Sequence, residues 1–390
     1  MYPTPKKKKI VCQEDRISNL ADDILVHILS FSRAKDAVRT SILSTRWRYL
    51  WTLNPSLDFS FCKHTDIDRC LQLHRAPKLR SIKYGYNHYQ LQLRYNIVTA
   101  ETEALNRWLR YSATHGVEEL LLCHYRYCKD YPVSLFECQS LLQLTLRYGT
   151  LNLPVNLCGF KSLVTLCLEC KGCKPSCSDF PHLRKAYLRP ISFDRRWNGD
   201  LDLECWRRML SAITCVRTLF AGYWLFQKPE SRKHLPIPFH DHFVFINLTK
   251  LDVDMKYKES NDYLASFISL LKASPALETV CLEHCRGSEW YRLCRGLEQD
   301  RCDEYDEVML WLKQIQDPVF SHHRLKRLTL KGFLTTKTEL LLLKFLLEKT
   351  IALELLFLVL YRKMINSEPE LLKNELTLHK ASPNAEIIIS

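Results

Sequence analysis

Glycine is scarce, with 10 in 390 residues. Phosphate-cradling loops, strained nucleophile elbows and mobile lids all draw on glycine's tolerance of unusual backbone angles, so this shortage argues against an enzyme. Long apolar runs are missing too. The longest, at 340–347 and 351–361, are interrupted by Lys344 and Glu354 and are too short to span a bilayer, so no membrane association is expected. Near the N-terminus the lysines are followed by the polar stretch Gln13 to Asn19, not by the apolar core of a secretory signal peptide. The expectation is a nuclear and/or cytoplasmic protein with reduced thiols, whose 17 cysteines behave mostly as small buried hydrophobes.

What is present is ordinary for a soluble globular protein: 46% hydrophobic and 25% charged residues, in a chain long enough for several domains or for a small module and a repeat array. The net charge of +13 comes from 56 Lys and Arg against 43 Asp and Glu. Only Lys6 to Lys9 form a dense run, read as a solvated tail or as a nuclear import signal. Elsewhere the basic residues are spread thinly and describe a solvated surface, so no nucleic-acid partner is expected. A phosphate-binding role would be revealed by steep salt dependence.

Residues 15–60 carry three short helical patterns. Ile24, Leu25, Ile28 and Leu29 share one face, with Asp22 and Asp23 in the opening turn where negative charge suits the helix dipole. A second stripe holds Ala37, Val38, Ser41 and Ile42; a third holds Trp47, Leu50 and Trp51, and Asn54-Pro55 closes it. So small a module leaves apolar surface that must pack on something else, either a partner or the rest of the chain, for which it would be a helical cap.

The words DRIS (15–18), ILSF (28–31), KDAVRTSILS (35–44), RWRYLW (46–51) and LDF (57–59) resemble, in order and spacing, the F-box of the plant F-box/FBD/leucine-rich-repeat family. The resemblance implies docking onto the Skp-type adaptor of a cullin–RING ubiquitin ligase. It puts Leu20, Ile24, Leu25, Ile28 and Leu43 at the adaptor face, with Ala21 and Trp47 in the adaptor-binding set and Trp47 in the helical core or at its edge. The chain departs from the family at Leu20-Ala21, where Leu-Pro is usual, and at Phe31-Ser32-Arg33, where Phe-Leu-Pro is usual. The first loses a proline suited to a helix start; the second puts a hydroxyl and a charge at an apolar position. Both point toward weaker docking, and so to an alternative reading as a repeat-based interaction module that has lost ligase association.

From residue 117 a pattern L-x-x-L-x-L recurs nine times, at Val117/Leu120/Leu122, Leu141/Leu144/Leu146, Leu163/Leu166/Leu168, Leu183/Ala186/Leu188, Val216/Leu219/Ala221, Leu248/Leu251/Val253, Leu277/Val280/Leu282, Leu325/Leu328/Leu330 and Leu353/Leu356/Leu358. The first intervals are 24, 22 and 20 residues, within the leucine-rich-repeat window, and later ones lengthen to about 30 with one of 48. The fold class expected is α/β: a small three-helix F-box followed by a curved leucine-rich-repeat solenoid with a parallel sheet on its concave face. Gln143, Thr145, Thr165, Cys167, Asp252, Cys281 and Thr329 would project from that face. Pro132 to Cys138 and Leu153-Pro154 read as return segments. Residues 324–358 read as strand, helix from about Lys337 to Lys349, and strand, and the LLKFLLE word at 342–348 resembles the family's FBD region. The divisions expected are a basic tail (1–14), the F-box (15–60), the repeats (61–316) and an FBD-like cap (317–390).

Chemical sites are weak. Cys170, Cys173 and Cys177 with His182 lack the paired spacing of zinc fingers, so no metal or other cofactor is expected. Cys123-His124 and His284-Cys285 are strand neighbours that point to opposite faces, which opposes a nucleophile–base role. The acidic stretch Glu298 to Glu307 lacks the glycine and alternating oxygens of a calcium loop. Asn247 opens a glycosylation sequon of no consequence outside the secretory route. Tyr84, Tyr86, Tyr89, Trp197, Tyr223 and Trp224 are candidate partner anchors, or aromatics packed under loops. The function expected is a non-enzymatic specificity subunit that holds adaptor and protein substrate together.

Overall fold

The computed structural model describes residues 16–17, 19–85, 98–123, 131–147, 149–152, 160–169, 172–174, 180–188, 210–222, 244–255, 262–284, 321–333, 337–360 and 369–390. Helices α1 (Asp22–Ser30), α2 (Ala34–Arg39) and α3 (Trp47–Leu50), with 3-10 turns at Thr40–Ile42 and Trp51–Leu53, lead into strand β1 (Ser56–Asp58). Then come α4 (His64–Leu73), β2 (Ser81–Gly85), α5 (Val98–Thr114), β3 (Glu119–Cys123), β4 (Gln143–Arg147), β5 (Thr150–Asn152), β6 (Thr165–Glu169), β7 (Gly172–Lys174), β8 (Lys185–Leu188) and β9 (Thr218–Ala221). The chain continues through β10 (Lys250–Met255), α6 (Asp262–Lys272), β11 (Thr279–His284), β12 (Arg327–Phe333), α7 (Lys337–Lys349), β13 (Leu355–Leu360), α8 (Pro369–Thr377) and β14 (Glu386–Ile389).

Twelve of these strands form one parallel sheet in chain order, with β5 and β7 set aside as a separate parallel pair. A parallel neighbour requires a crossover, and among the described residues α4, α5, α6, α7 and α8 lie in such connections. Val133–Glu137 supplies a 3-10 return between β3 and β4, as the sequence led us to expect, and α7 runs over the residues foreseen for it. At the end of α5, Gly116 takes a left-handed φ of 63°, which lets Val117 turn into the next strand.

All nine leucine-pattern copies fall in register. Leu120, Leu144, Leu166 and Ala186 sit side by side, as do Leu219, Leu251, Val280, Leu328 and Leu356. None of the 27 pattern residues is more than 2% exposed. Each leucine so buried contributes about 1.5–3 kcal/mol, and each is covered by residues of the neighbouring repeats, so the units are stable only as a stack.

A second regularity lies in the backbone. The carbonyl of the residue before each strand accepts two amides from the next repeat: Pro55 from Arg80 and Ser81 (2.7 and 3.2 Å), Arg80 from Glu118 and Glu119 (3.1 and 2.9 Å), Glu118 from Leu142 and Gln143 (2.8 and 3.0 Å). The series runs on through Leu142, Val164, Arg184, Arg217, Thr249, Glu278 and Lys326, and Glu354 passes one such bond to Glu386.

The first repeats have an aromatic core. Phe59, Tyr84 and Trp108 stack at centroid distances of 5.7 and 5.2 Å, and the Tyr84 hydroxyl donates to the Trp108 carbonyl at 3.2 Å. Tyr84 is thus packing and not a surface anchor, and burial pushes its phenol pKa upward. Tyr86, Tyr89, Trp197, Tyr223 and Trp224 lie outside the described residues.

Toward the C-terminus His322 joins three segments. Its Nε2 donates to the Ser274 carbonyl at 3.1 Å and its Nδ1 accepts from the Leu325 amide at 3.2 Å, while its own amide donates to the Lys349 carbonyl at 2.7 Å. Burial lowers its pKa, only partly offset by the bond to Ser274, so the neutral ring is the folded form. The unfolded chain then binds the extra proton, and the stability this gives is full above the ordinary histidine value of 6.5 and is lost as pH falls below it. His322→Ala should cost about 1–3 kcal/mol at pH 7.5. Melting curves at pH 7.5, 6.5 and 5.5 should show the gap between wild type and variant narrowing with acid; a constant gap would contradict a buried neutral ring.

Candidate functional site: the N-terminal helical face

Helix α1 begins without a side-chain cap. Ala21 is the N-cap, with φ −65° and ψ 154°, and Asp22 is the first helical residue. Ala21 therefore stands one position ahead of the helix start at which a proline would be expected. The missing cap is offset from α3: Arg46 donates Nε to Asp22 Oδ1 at 2.8 Å and also donates to the Leu20 carbonyl, so the RWR segment fastens both sides of the α1 start.

The stripe Ile24, Leu25, Ile28, Leu29 divides in two. Leu25 and Leu29 turn inward, 0% and 2% exposed, and pack with Ala34, Ala37, Trp47, Leu50 and Trp51. Ile24 and Ile28 turn outward, 45% and 44% exposed. The residues expected at the adaptor face thus fall on two faces of α1, because one helix turn separates each member of a pair from its partner while about 100° separates the pairs. Leu25 is core and cannot present itself to a partner without unfolding α1. Trp47 is likewise inside the helical core, Leu20 is half-buried against it, and Ala21 and Leu43 are exposed.

What remains outside is apolar. Ile24, Ile28 and Phe31 follow i, i+4, i+7 spacing and form one outward stripe, with Phe31 80% exposed and in edge contact with His27 at 5.0 Å. Ile42 and Leu43 are exposed at the end of the second helical stretch. More than half of the exposed large hydrophobics among the described residues lie between Ile17 and Leu73. Phe31 and Ile42 lie in the F-box-like words ILSF and KDAVRTSILS, yet neither was among the site residues expected.

The non-core face of the sheet is a second candidate surface. Thr145 and Cys167 are paired in register, as are Asp252, Cys281 and Thr329, and all five project from that face with Gln143 and Thr165. Tyr187 and Phe220 stack there at 6.3 Å. Several of its cations are matched by carboxylates on the same or adjacent strands: Arg147 with Glu169 at 3.0 Å, Lys331 with Glu283 at 3.2 Å, Lys250 with Asp252 at 3.1 Å.

Among the described residues no three His, Cys, Asp or Glu side chains converge as metal ligands, and no helix is long and apolar enough to cross a membrane. Cys170 and Cys177 lie outside the described residues, Cys173 is described only as backbone in β7, and His182 is exposed. His124, Cys285 and the stretch 298–307 also lie outside them, and Asn247 is exposed in a turn.

An F-box domain matches residues 17–58, the segment that forms this helical face and β1. Among similar proteins from Arabidopsis thaliana are an FBD-associated F-box protein, 34% identical over 166 residues, covering 40% of this chain and 38% of the relative, and an F-box/FBD/LRR-repeat protein, 36% identical over 170 residues, with the same two coverages. An F-box/LRR-repeat protein is 34% identical over 168 residues, covering 40% of this chain and 51% of the relative. The matches thus span about two-fifths to one-half of these relatives' length. Residues 17–58 thus carry an F-box domain, and the sheet that follows has an α/β, solenoid-like layout. More particularly, over about two-fifths of its length the chain is similar to plant F-box/FBD/leucine-rich-repeat proteins.

The backbone at Ala21 suits proline. Its φ of −65° is the proline value, and its amide makes no backbone hydrogen bond among the described residues. Ala21→Pro should therefore raise stability by about 0.4–1 kcal/mol through the unfolded chain, read as a higher urea midpoint at unchanged slope. A lower midpoint would mean that the turn from Leu20 into α1 needs the alanine.

Proposed function

We propose that this chain is the substrate-recognition subunit of an SCF-type cullin–RING ubiquitin ligase. The F-box docks a Skp-type adaptor, and the non-core face of the sheet, curved into a concave surface, binds the target protein. The chemistry of ubiquitin transfer belongs to other subunits. The observation that carries this reading is the outward stripe Ile24, Ile28 and Phe31 with Ile42 and Leu43, on a module whose inner stripe is fully packed. An apolar surface gathered on one small module is the mark of a docking site. The non-core sheet face, with its stacked Tyr187 and Phe220 and self-paired charges, suits a protein better than a polyanion. In this reading residues 15–60 form the F-box, 61–316 the repeats and 317–390 the FBD-like cap.

A second reading, a repeat-based interaction protein outside any ligase, draws support from Ala21, which stands where proline is usual, and from the polar Ser32 where an apolar residue is usual. The two separate in a pull-down with a purified Skp-type adaptor. Ile28→Asp places a charge on an exposed position, so the chain should stay folded while adaptor binding falls at least a hundredfold. Leu25→Asp buries a charge in the core and should instead abolish the melting transition. Failure of the wild-type chain to bind any adaptor would favour the second reading.

A further inference from the structure

A cleft of about 530 Å³ opens where α2 and α3 meet α4, between the F-box helices and the first repeat. Its size lies within the roughly 300–1,000 Å³ typical of small-molecule sites. The lining is apolar at depth. Trp51, Phe59 and Cys70 are buried in it, while Val38, Tyr49 and Leu73 line it with surface still open to solvent.

Around this apolar lining stand five cations, Lys35, Arg39, Arg48, Arg69 and Arg75, against one lining carboxylate, Asp66. Arg39 is held by Asp36 at 3.2 Å, and the Arg75 guanidinium lies 5.9 Å from the centre of the Tyr49 ring. Lys35, Arg48 and Arg69 make no ion pair among the described residues. Lys83, Arg147, Lys250 and Lys331 on the sheet face are each paired with a carboxylate, whereas these three cations stand together around an apolar cleft with only Asp66 among its lining. They leave a positive rim over an apolar floor.

The cleft has little to react with. Burial raises the thiol pKa of Cys70 to about 12, and burial with the Asp66 charge raises that of Cys62. Both line the cavity as protonated, weakly polar groups, so the site suits binding and not nucleophilic chemistry.

We propose that this cleft binds a small amphipathic organic anion, with a ring-sized apolar body set on Trp51, Phe59 and Leu73 and one carboxylate or sulfonate held by Arg48, Arg69 and Lys35. Such a ligand touches α2, α3 and α4 at once and fastens the F-box to the first repeat. The inference rests on the cleft alone and is independent of the ligase reading.

The test uses the full chain and a matched pair of fluorescent probes: 1-anilinonaphthalene-8-sulfonate, and N-phenyl-1-naphthylamine, which keeps the rings and lacks the sulfonate. The sulfonate should bind with one-to-one stoichiometry and at least tenfold more tightly than the neutral probe. The double variant Arg48→Gln/Arg69→Gln, changed only at exposed positions, should lose that tenfold preference while still binding the neutral probe. Leu73→Trp, which fills the cleft, should weaken both probes. A control, Lys78→Gln/Arg80→Gln, lies outside the cleft and should change neither. Equal affinity for both probes, or a sulfonate preference untouched by the Arg48/Arg69 variant, would overturn the proposal and assign the fluorescence to the exposed α1 stripe.

Discussion

The fold depends on one backbone interaction repeated along the chain, in which a single carbonyl ahead of a strand takes two amides from the following repeat. From Pro55 to Lys326 the same arrangement recurs at every step of the sheet. It fixes the register of the incoming strand, and a slip of one residue would turn the inward leucines out to the other face. The leucine rows, the non-core face and the positions of the ion pairs across it all follow from that register. It also explains why intervals from 20 to 48 residues coexist in one sheet: the chain is fixed at the strand start, and what lies between two starts is free to lengthen.

The helical module belongs to this system. The Thr52 carbonyl accepts from the amides of Arg75 and Ala76 at 2.7 and 3.1 Å, and the Asn54 carbonyl accepts from His74 Nε2 at 2.9 Å. Asn54 itself, fully buried, donates to the Leu29 carbonyl at 3.2 Å and accepts from the Ser56 amide at 2.9 Å, so one side chain ties α1 to the first strand. His74 is completed by the Tyr111 hydroxyl at 2.9 Å, and burial lowers its pKa. A module too small to stand alone thus uses the first repeats as part of its support, while the outer stripe of α1 is left over.

Much of the array was legible because leucine repeats at a fixed offset survive without any knowledge of the loops. Nine strands and the helix Lys337–Lys349 could be read that way. The first two strands escaped because their pattern is written in other letters. Leu79, Ile82 and Tyr84 keep the spacing of the leucine copies, as do Asn54, Leu57 and Phe59, and their aromatic third positions make the stack with Trp108. Helix α5 was legible in principle from Leu105, Trp108, Leu109 and Ser112, all buried at i, i+3, i+4 and i+7. The F-box face was half legible. Its helices and apolar stripe were plain, but periodicity over nine residues could not say which of two adjacent i, i+4 pairs faces the core. That choice is made by Trp47 and Leu50, packed against α1 from another helix. The cleft between α2, α3 and α4 was illegible, since its cations are dispersed over some forty residues and meet only once the first repeat is folded.

The bonds at Thr52, Asn54 and Pro55 leave no linker between the helical face and the sheet. Eleven strand-to-strand steps of about 4.8 Å carry the ladder some 50 Å measured along the sheet, with no hinge at its root. A protein gripped at one row is therefore held at a reach from the helical face that is set by which row it occupies. In the proposed role the array acts as a graduated arm, on which the place of attachment decides which of the captive's surface lysines is carried toward the transfer machinery.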